Sequence, residues 1–157
     1  MIQLPKQTDS KVKSLRGWGC YFHCIVAMVA DKYKRVFSAS EIASIFELAI
    51  MNGYVIDNDL PTDGSKGNWY RSFVRDPRRL VNLIGDVIGH SIIGNEVYRD
   101  NVIRTTDVDY IVVEYQTPSG SHFVVRKPHD AASYDPGPNF ARLGIKSYRG
   151  WKILDNK

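Results

Sequence analysis

Long apolar runs are missing from this sequence, and so is a secretory signal. The longest apolar run in the first helix-like region, Cys24 to Ala30, is far shorter than the roughly 20 residues that a helix needs to cross a bilayer. The first 17 residues carry four cationic side chains but no apolar stretch ahead of a small-residue cleavage site. We therefore expect no membrane span and synthesis in the cytoplasm, with release or injection by another route if the protein acts elsewhere.

Cysteine is scarce as well. The sequence has 2 cysteines, Cys20 and Cys24, and a disulfide between residues one helical turn apart would close a trivial loop with little gain in stability. A disulfide scaffold is therefore excluded, and both residues are expected to be thiols. His23 lies between them, but no second cluster of ligands has the spacing of a structural zinc site. A glycine-rich phosphate loop is also missing, so we expect neither a metal nor an organic cofactor.

What is present is the composition of one folded domain. The chain has 157 residues, of which 43% are hydrophobic and 24% charged, as in ordinary globular proteins, and its length predicts a single domain over residues 1–157. Lysine and arginine number 21 against 17 aspartates and glutamates, which gives a net charge of +4. This excess favours anionic partners such as nucleic acid, a membrane surface or a cell-wall polymer, without choosing among them.

Three helices are predicted in the first part of the chain. The first is predicted over residues 19–34, and its segment 21–30 is apolar nearly all round, which is typical of a central helix enclosed by other elements. A second helix begins at the Ser38 to Glu41 capping box and ends at Asn52-Gly53, and a third runs from Asp76-Pro77 to Gly89. Residues 53–70 read as a long loop, which either borders a binding site or is a mobile connector.

Strands are predicted in the second part. The β-branched and aromatic runs 109–115 and 122–126 form a hairpin whose turn, Thr117 to Gly120, is expected to be longer than two residues. A final strand or pair of strands is predicted between Leu143 and Leu154, with a break at Arg149-Gly150. Helices followed by strands indicate an α+β fold, with helices on one side of an antiparallel sheet.

Cys20 is the first residue with a chemical signal. It follows Gly17-Trp18-Gly19 and stands at the start of the central helix, where the helix dipole and free N–H groups favour thiolate over thiol. Glycine beside it allows a substrate to approach closely. The alternative is that Cys20, like most free cysteines, is an inert and buried small side chain.

His122 and Asp135 give Cys20 possible partners. His122 opens a predicted strand, and Asp135 lies in an Asp-Pro-Gly sequence shortly after that strand. Taken singly, the histidine could be a surface residue and the Asp-Pro-Gly sequence a plain turn. In the order Cys, His, Asp they match a thiol nucleophile, the base that takes its proton, and the carboxylate that fixes the imidazole tautomer. The combination favours catalysis over three unrelated residues.

These motifs resemble those of a known superfamily. Gly17-Trp18-Gly19-Cys20, Ser121-His122-Phe123-Val124-Val125 and Tyr134-Asp135-Pro136 are similar to motifs of the papain-like cysteine peptidases, most of all the bacteriocin-leader-processing (double-glycine) peptidases. The Gly-Cys-Tyr-Phe opening is also similar to uncharacterised small proteins of phages and spirochaetes. The resemblance implies a papain-like α+β fold, with the Cys-bearing helix packed on a C-terminal antiparallel sheet. It also implies that Cys20 is the nucleophile, His122 the general base and Asp135 the residue that orients His122.

One position departs from the family pattern. The family places a glutamine six residues before the nucleophile to help hold the oxyanion, and here that residue is Ser14. Gln7, or Gln3 further back, could substitute if the N-terminal segment folds across the site. Losing one oxyanion donor costs about 10²–10³ in rate, so a chain without a substitute would be a slow enzyme or an inactive relative that only binds.

Neighbouring residues are assigned lesser roles. Trp18, Gly19 and His23 are expected to border the site, whereas Cys24 is expected in the core because it lies inside the apolar run. His129-Asp130 is a rival dyad, but Pro128 places it in a turn. Residues 69–75 interleave aromatic and cationic side chains as nucleic-acid surfaces do, although such a segment is more often an amphipathic edge.

The sequence therefore predicts a cysteine peptidase or amidohydrolase that cleaves a peptide or isopeptide amide. Its partner is expected to be a peptide or protein, with cell-wall peptide slightly favoured over an intracellular protein because of the positive charge, and nucleic acid is not the expected partner. Two alternatives stay open. A transpeptidase or acyltransferase would use the same thioester with an amine acceptor, and an inactive binding module would keep only the fold.

Overall fold

The structure, a computed structural model, describes residues 1–56, 73–138 and 140–156. It has the predicted α+β class, with four α-helices and a five-stranded antiparallel sheet in the described residues. After a 3₁₀ turn at Gln7–Asp9, the helices are α1 (Lys13–Trp18), α2 (Cys20–Lys32), α3 (Ala39–Met51) and α4 (Pro77–Val87). The strands are β1 (Val55–Ile56), β2 (Phe73–Val74), β3 (Ile92–Asp100), β4 (Tyr110–Thr117), β5 (Gly120–Arg126), β6 (Ser133–Tyr134) and β7 (Gly144–Asp155).

Helix α2 is the centre of the molecule. Every residue from Phe22 to Asp31 is buried, which confirms the prediction drawn from its apolar circumference. The helix packs against β5 and α4, so its first residue lies close to the hairpin strand that carries His122. None of the helices in the described ranges combines the length and the apolar character that crossing a membrane requires.

Helices α3 and α4 begin where their capping residues predict. The Ser38 hydroxyl accepts a hydrogen bond from the Glu41 N–H at 3.1 Å, and the Glu41 carboxylate accepts one from the Ser38 N–H at 3.0 Å. At α4 the Asp76 carboxylate accepts from the Arg79 N–H at 3.1 Å, with Pro77 as the first helical residue. These local contacts satisfy N–H groups that have no partner inside the helix.

The large sheet has the strand order β3-β7-β4-β5-β6, and β1 and β2 form a separate antiparallel pair. Strand β6 pairs only with Val125 and Arg126, so the beginning of β5, where His122 lies, is an open edge. The β4–β5 turn is shorter than expected because Thr117 pairs with Gly120. Gly120 adopts a φ of 141°, a conformation that suits glycine and lets the hairpin close over Pro118 and Ser119.

Two further sequence interpretations differ from the structure. Strand β7 runs unbroken through Arg149-Gly150, and a Cβ at Gly150 would overlap the Tyr98 ring, so this glycine serves close packing and does not interrupt the strand. Strand β3 was not predicted, and a register shift between Glu96 and Tyr98 explains why its alternation is imperfect. Most of the predicted 53–70 loop, with its acidic residues, and most of the aromatic and cationic segment 69–75 lie outside the described residues.

The core lies mainly between the helices and one face of the sheet. A smaller cluster covers part of the other face and consists of Tyr98, Val108, Ile111 and Val113, with Tyr115 and Tyr148 packed against it. Tyr115 is the cross-strand neighbour of His122. His122 therefore stands at the margin between the helix-covered core and this second cluster.

Candidate active site

Cys20 is the first residue of α2, and Gly19 is its N-cap. A side chain at Gly19 would place its Cβ 2.6 Å from the Leu15 carbonyl oxygen, so the tight junction between α1 and α2 requires glycine there. Cys20 is only 9% exposed. The structure thus places the thiol where the sequence predicted it, at the N-terminus of the central helix, and shields it from bulk water.

The imidazole of His122 is held between two side chains. Its Nε2 donates to the Asp135 carboxylate at 2.6 Å, and Cys20 lies near enough to the ring to influence its pKa. The structure therefore brings the three residues named from the sequence together, which is the grouping that a thiol nucleophile, its base and an orienting carboxylate would need.

The charge on His122 is set by these partners. Burial by itself would lower the pKa of the imidazole, but the hydrogen bonds with Asp135 and Cys20 outweigh it and raise the pKa to about 9. At neutral pH the ring is then an imidazolium.

Asp135 is fixed from several sides. Its Oδ1 also accepts from the Gly137 N–H at 3.0 Å, and its Oδ2 accepts from Arg142 at 2.9 Å. Burial would raise the pKa of this carboxyl, but the contacts with His122, Gly137 and Arg142 lower it below its ordinary value. The carboxylate therefore stays charged and holds the imidazole in one orientation.

The N-terminal segment crosses the site, as a substitute oxyanion donor requires. The Gln7 backbone N–H donates to the Pro136 carbonyl at 2.7 Å, and its side-chain Nε2 donates to the Arg16 carbonyl at 2.9 Å. Gln7 thus connects the segment that leads into Cys20 with the segment that carries Asp135. Its side chain is buried, and within the described chain its Oε1 has no hydrogen-bond partner.

The two other residues considered for the oxyanion differ from Gln7. Ser14 lies in α1 and is buried, and its hydroxyl finds no partner among the residues that the structure describes. Gln3 donates from its side chain to the carbonyls of Met1 and Ser133, which fastens the N-terminal segment to β6. Of the three, Gln7 is the one held between the nucleophile and carboxylate segments.

The residues expected to border Cys20 have distinct surroundings. Trp18 is exposed beside it, whereas His23 is buried and donates from Nδ1 to the Gly19 carbonyl at 2.7 Å. Burial lowers the pKa of His23 to about 4, so this ring is neutral and stabilises the turn that precedes Cys20. Cys24 is fully buried, as predicted for a core residue, and burial raises the pKa of its thiol.

The rival dyad has no such geometry. His129 and Asp130 are both exposed in the turn after β5, and the Asp130 carboxylate accepts from the Ala132 backbone N–H at 2.9 Å. In the described residues the carboxylate that contacts an imidazole is Asp135, not Asp130. The Cys20, His122 and Asp135 cluster is the stronger candidate.

A cluster of two aromatic rings and one arginine next to the site was not predicted from the sequence. The rings of Tyr21 and Phe123 stack with centroids 4.7 Å apart, and these residues directly follow Cys20 and His122. The Arg149 guanidinium lies 4.7 Å from the Tyr21 ring and 4.8 Å from the Phe123 ring. The sequence signal for this cluster is an aromatic residue directly after Cys20 and another directly after His122. In the fold, the two rings and Arg149 fix α2 against β5.

Two residues after Asp135 were also missed. The Phe140 ring packs at 4.6 Å from the His122 ring, and the Arg142 guanidinium lies 4.4 Å from the Tyr115 ring. A Cβ at Gly137 would overlap the His122 ring, so glycine lets this segment lie directly on the imidazole. No local sequence pattern predicts these contacts, because they depend on how the segment after Asp135 folds back over the sheet.

Within the described ranges, no group of three or more metal-binding side chains is close enough to hold an ion. Comparison with known proteins adds no relative: no family model, no curated protein and no solved structure matches this chain. The chemistry of the site is therefore argued from its own residues.

Proposed function

We propose that this chain is a cysteine hydrolase of papain-like architecture that cleaves a peptide or isopeptide amide. The observation that carries the proposal is the His122 imidazole, which donates to the Asp135 carboxylate at 2.6 Å and lies near the Cys20 thiol at the N-terminus of α2. A structural histidine needs no thiol partner at a helix N-terminus. This arrangement supplies a nucleophile, a proton carrier and an orienting charge.

We propose the following reaction for Cys20 and His122. The Cys20 thiolate attacks the amide carbonyl carbon, and the His122 imidazolium gives its proton to the leaving amine, which leaves a thioester on Cys20 and a neutral imidazole. A water molecule then attacks the thioester carbonyl while His122 accepts its proton. The acid product leaves, and the thiolate and imidazolium are restored.

The negative charge on the carbonyl oxygen needs hydrogen-bond donors. The first N–H groups of an α-helix have no partner inside it, and the N–H of Cys20 is the first in α2. Gln7 is the second donor we propose, because its Nε2 carries two hydrogens and the bond to Arg16 at 2.9 Å uses one. Its buried side chain is held by the Arg16 carbonyl, and its backbone is held by the Pro136 carbonyl.

The substrate we propose to test first is cell-wall peptide, because the net charge of +4 attracts the protein to anionic polymers. Purified sacculi are incubated with the wild type, Cys20→Ala and the matched control Cys24→Ala, and released fragments are identified by mass spectrometry. We expect fragments with the wild type and Cys24→Ala and none with Cys20→Ala. If sacculi stay intact while a proteome digest shows Cys20-dependent cuts, the substrate is an intracellular protein.

The same assay separates hydrolysis from acyl transfer. Glycine amide is added as a competing acceptor, and the masses of the products show whether water or the amine has taken the acyl group. A hydrolase gives mainly free acids, whereas an acyltransferase gives mainly the amine adducts. The absence of any Cys20-dependent product from sacculi and proteome together contradicts the proposal and favours a binding module.

A further inference from the structure

The exposed charge beside His122 is not balanced. Arg142 and Lys146 are 44% and 42% exposed at their side chains, whereas the carboxylates that they contact, Asp135 and Glu114, are only 27% and 15% exposed. The cations form the outer layer and the carboxylates the inner one. A molecule that approaches His122 from this side therefore meets positive charge first.

The inner carboxylates are also occupied by other partners. Asp135 accepts from His122 and Gly137. Glu114 accepts from the Ser121 and Ser147 hydroxyls and from Arg149. Their charge is therefore directed inwards, and the guanidinium of Arg142 and the ammonium of Lys146 keep donors that face solvent.

Both cations are tied to the base through short connections. Arg142 lies over the ring of Tyr115, which is the cross-strand neighbour of His122. Lys146 donates to the Ser121 hydroxyl at 2.9 Å, and Ser121 directly precedes His122. Between the two cations, Leu143 and Ile145 expose apolar side chains. The segment from Arg142 to Lys146 thus carries positive and apolar groups, with Ile145 beside Tyr115 on the strand face that carries His122 and Lys146 beside Ser121 on the opposite face.

We propose that this surface, Arg142 to Lys146, binds an acidic peptide segment next to the scissile amide. The inference rests on the proposed function, since it specifies the substrate class of the same site. Arg142 and Lys146 bind carboxylates of the substrate, while Leu143 and Ile145 contact its apolar side chains. Peptide is favoured over nucleic acid because the exposed neighbours are aliphatic, and the ring of Tyr115 is already covered by Arg142 and cannot stack on a base.

Two small reagents test the charge directly. Cys20 is alkylated with iodoacetate, which is an anion, or with iodoacetamide, which is neutral, and the rate at Cys20 is measured by peptide mass spectrometry. The ratio of the two rates reports the local positive charge and cancels changes in thiolate content. We expect Arg142→Gln and Lys146→Gln each to lower the iodoacetate to iodoacetamide ratio about two- to fivefold, the range of an exposed ion pair.

A matched control is Arg79→Gln. Arg79 is also an exposed arginine beside an aspartate, at 3.6 Å from Asp76, but it lies on α4, which packs against β3 at the opposite edge of the sheet. We expect no change in the ratio for this variant. Salt at about 1 M, where the Debye length is about 3 Å, should bring the wild-type ratio down to that of the two site variants.

Peptide reagents extend the test to the substrate class. Chloroacetyl-Gly-Glu-Glu-Leu-amide should modify Cys20 faster than chloroacetyl-Gly-Gln-Gln-Leu-amide, and Arg142→Gln should reduce the difference. Equal rates for the two peptides, or a ratio insensitive to both substitutions, would overturn the inference. Protection of Cys20 by oligothymidylate but not by a Glu-rich peptide would overturn it in favour of nucleic acid. If iodoacetamide itself reacts no faster with Cys20 than with an ordinary thiol, the proposed function fails instead.

Discussion

The two ends of helix α2 each bury a charged group, but they use it differently. At the C-terminal end, the Asp31 carboxylate accepts from the Ile2 N–H at 2.7 Å and from the Tyr110 hydroxyl at 2.8 Å, and Lys127 lies 3.3 Å away. Burial would raise the pKa of Asp31, but these contacts lower it below its ordinary value. Both oxygens of this carboxylate have partners, and these partners lie far from it along the chain, so it anchors the fold.

At the N-terminal end of α2, some buried polar groups have no hydrogen-bond partner among the described residues. Around Cys20 and His122, the buried oxygens of Gln7 and Ser14 have no hydrogen-bond partner in the described chain, and the thiol lies near an imidazole whose proton can leave. Unsatisfied buried polar groups cost free energy, and such costs concentrate at functional sites. The difference between the ends is that Asp31 is held by fixed partners, whereas the buried oxygens of Gln7 and Ser14 have none among the described residues.

The N-terminal segment joins the two ends. It begins at Asp31 through Ile2, follows β6 through the bond from the Tyr134 hydroxyl to the Pro5 carbonyl at 2.7 Å, and reaches Asp135 and Pro136 through Lys6 and Gln7. The anchor at one end therefore fixes the chain that completes the other. Substitutions at the two ends of α2 should therefore separate its structural role from its proposed catalytic role.

The largest effect should come from Cys20→Ala. Removing the nucleophile should lower turnover by on the order of 10⁶, as in other enzymes that form covalent intermediates. It should change the free energy of unfolding by less than about 1 kcal/mol because the side chain is small. Turnover and urea denaturation on the same sample check both parts. A variant that keeps its activity, or that unfolds, would show that Cys20 has a structural role, as Asp31 has.

His122→Ala and Asp135→Asn should rank next. Without a base, turnover should fall by on the order of 10⁴, whereas an asparagine can still accept from Nε2 through its amide oxygen and hold the ring. The loss with Asp135→Asn should therefore be far smaller than with His122→Ala, in an assay of initial rates. Equal activity of Asp135→Ala and the wild type would reduce the site to a Cys-His dyad.

Gln7→Ala tests the incomplete partners at the N-terminal end. If the second hydrogen of Nε2 holds the oxyanion, turnover should fall by about 10²–10³, and the rate of Cys20 alkylation by iodoacetamide should stay unchanged because no oxyanion forms in that reaction. Ser14→Ala is the matched control, since it removes another unpaired buried oxygen, in the helix that precedes Cys20. A larger loss with Ser14→Ala than with Gln7→Ala would reverse the assignment.

Asp31→Ala tests the anchor. It leaves the Tyr110 hydroxyl, the Ile2 N–H and the Lys127 ammonium without their shared acceptor, which should cost about 3 kcal/mol of unfolding free energy. Urea denaturation measures the cost, and Asp130→Ala, at an exposed turn residue, is the control. A loss below about 1 kcal/mol would mean that the C-terminal end does not anchor the fold.

Local signals in the sequence predicted the helices well. The capping box at Ser38 and the Asp76-Pro77 start act within one turn, so neighbouring residues are enough to define α3 and α4. The short helix α1 has no side-chain cap and was missed. Strand β7 was expected to break at Gly150 because a glycine's reason for being in a strand, here the Tyr98 ring, is visible only in three dimensions.

The residues of the candidate site also differ in how far the sequence predicts them. Cys20, His122 and Asp135 could be named because their order and flanking residues form a pattern along the chain. Arg142 and the bonds of Gln7 could not be predicted, since Gln7 meets Pro136 only after the whole domain has closed. The residues proposed to carry the chemistry form a pattern along the sequence, whereas the residues that position them come close to them only in the folded structure.

The most specific effect concerns pH. The pKa of His122 is raised to about 9 in the folded protein, against about 6.5 in an unfolded chain. The imidazolium therefore contributes stability that is fully present below about pH 6.5 and is lost as pH rises through about 9. The shift corresponds to about 3 kcal/mol, and urea denaturation at steps between pH 6 and pH 10 should show most of that loss.

Two variants sharpen the result. His122→Gln should remove the pH dependence between pH 6.5 and 9, and Cys20→Ala should reduce it, because the thiol is one of the two partners that raise the pKa of the imidazole. Asp31→Asn should leave it in place, since the titrating group belongs to the other end of α2. A wild-type stability that is flat over this range would show that His122 is neutral in the folded state, and the thiolate would then lack the adjacent positive charge on which the proposed reaction depends.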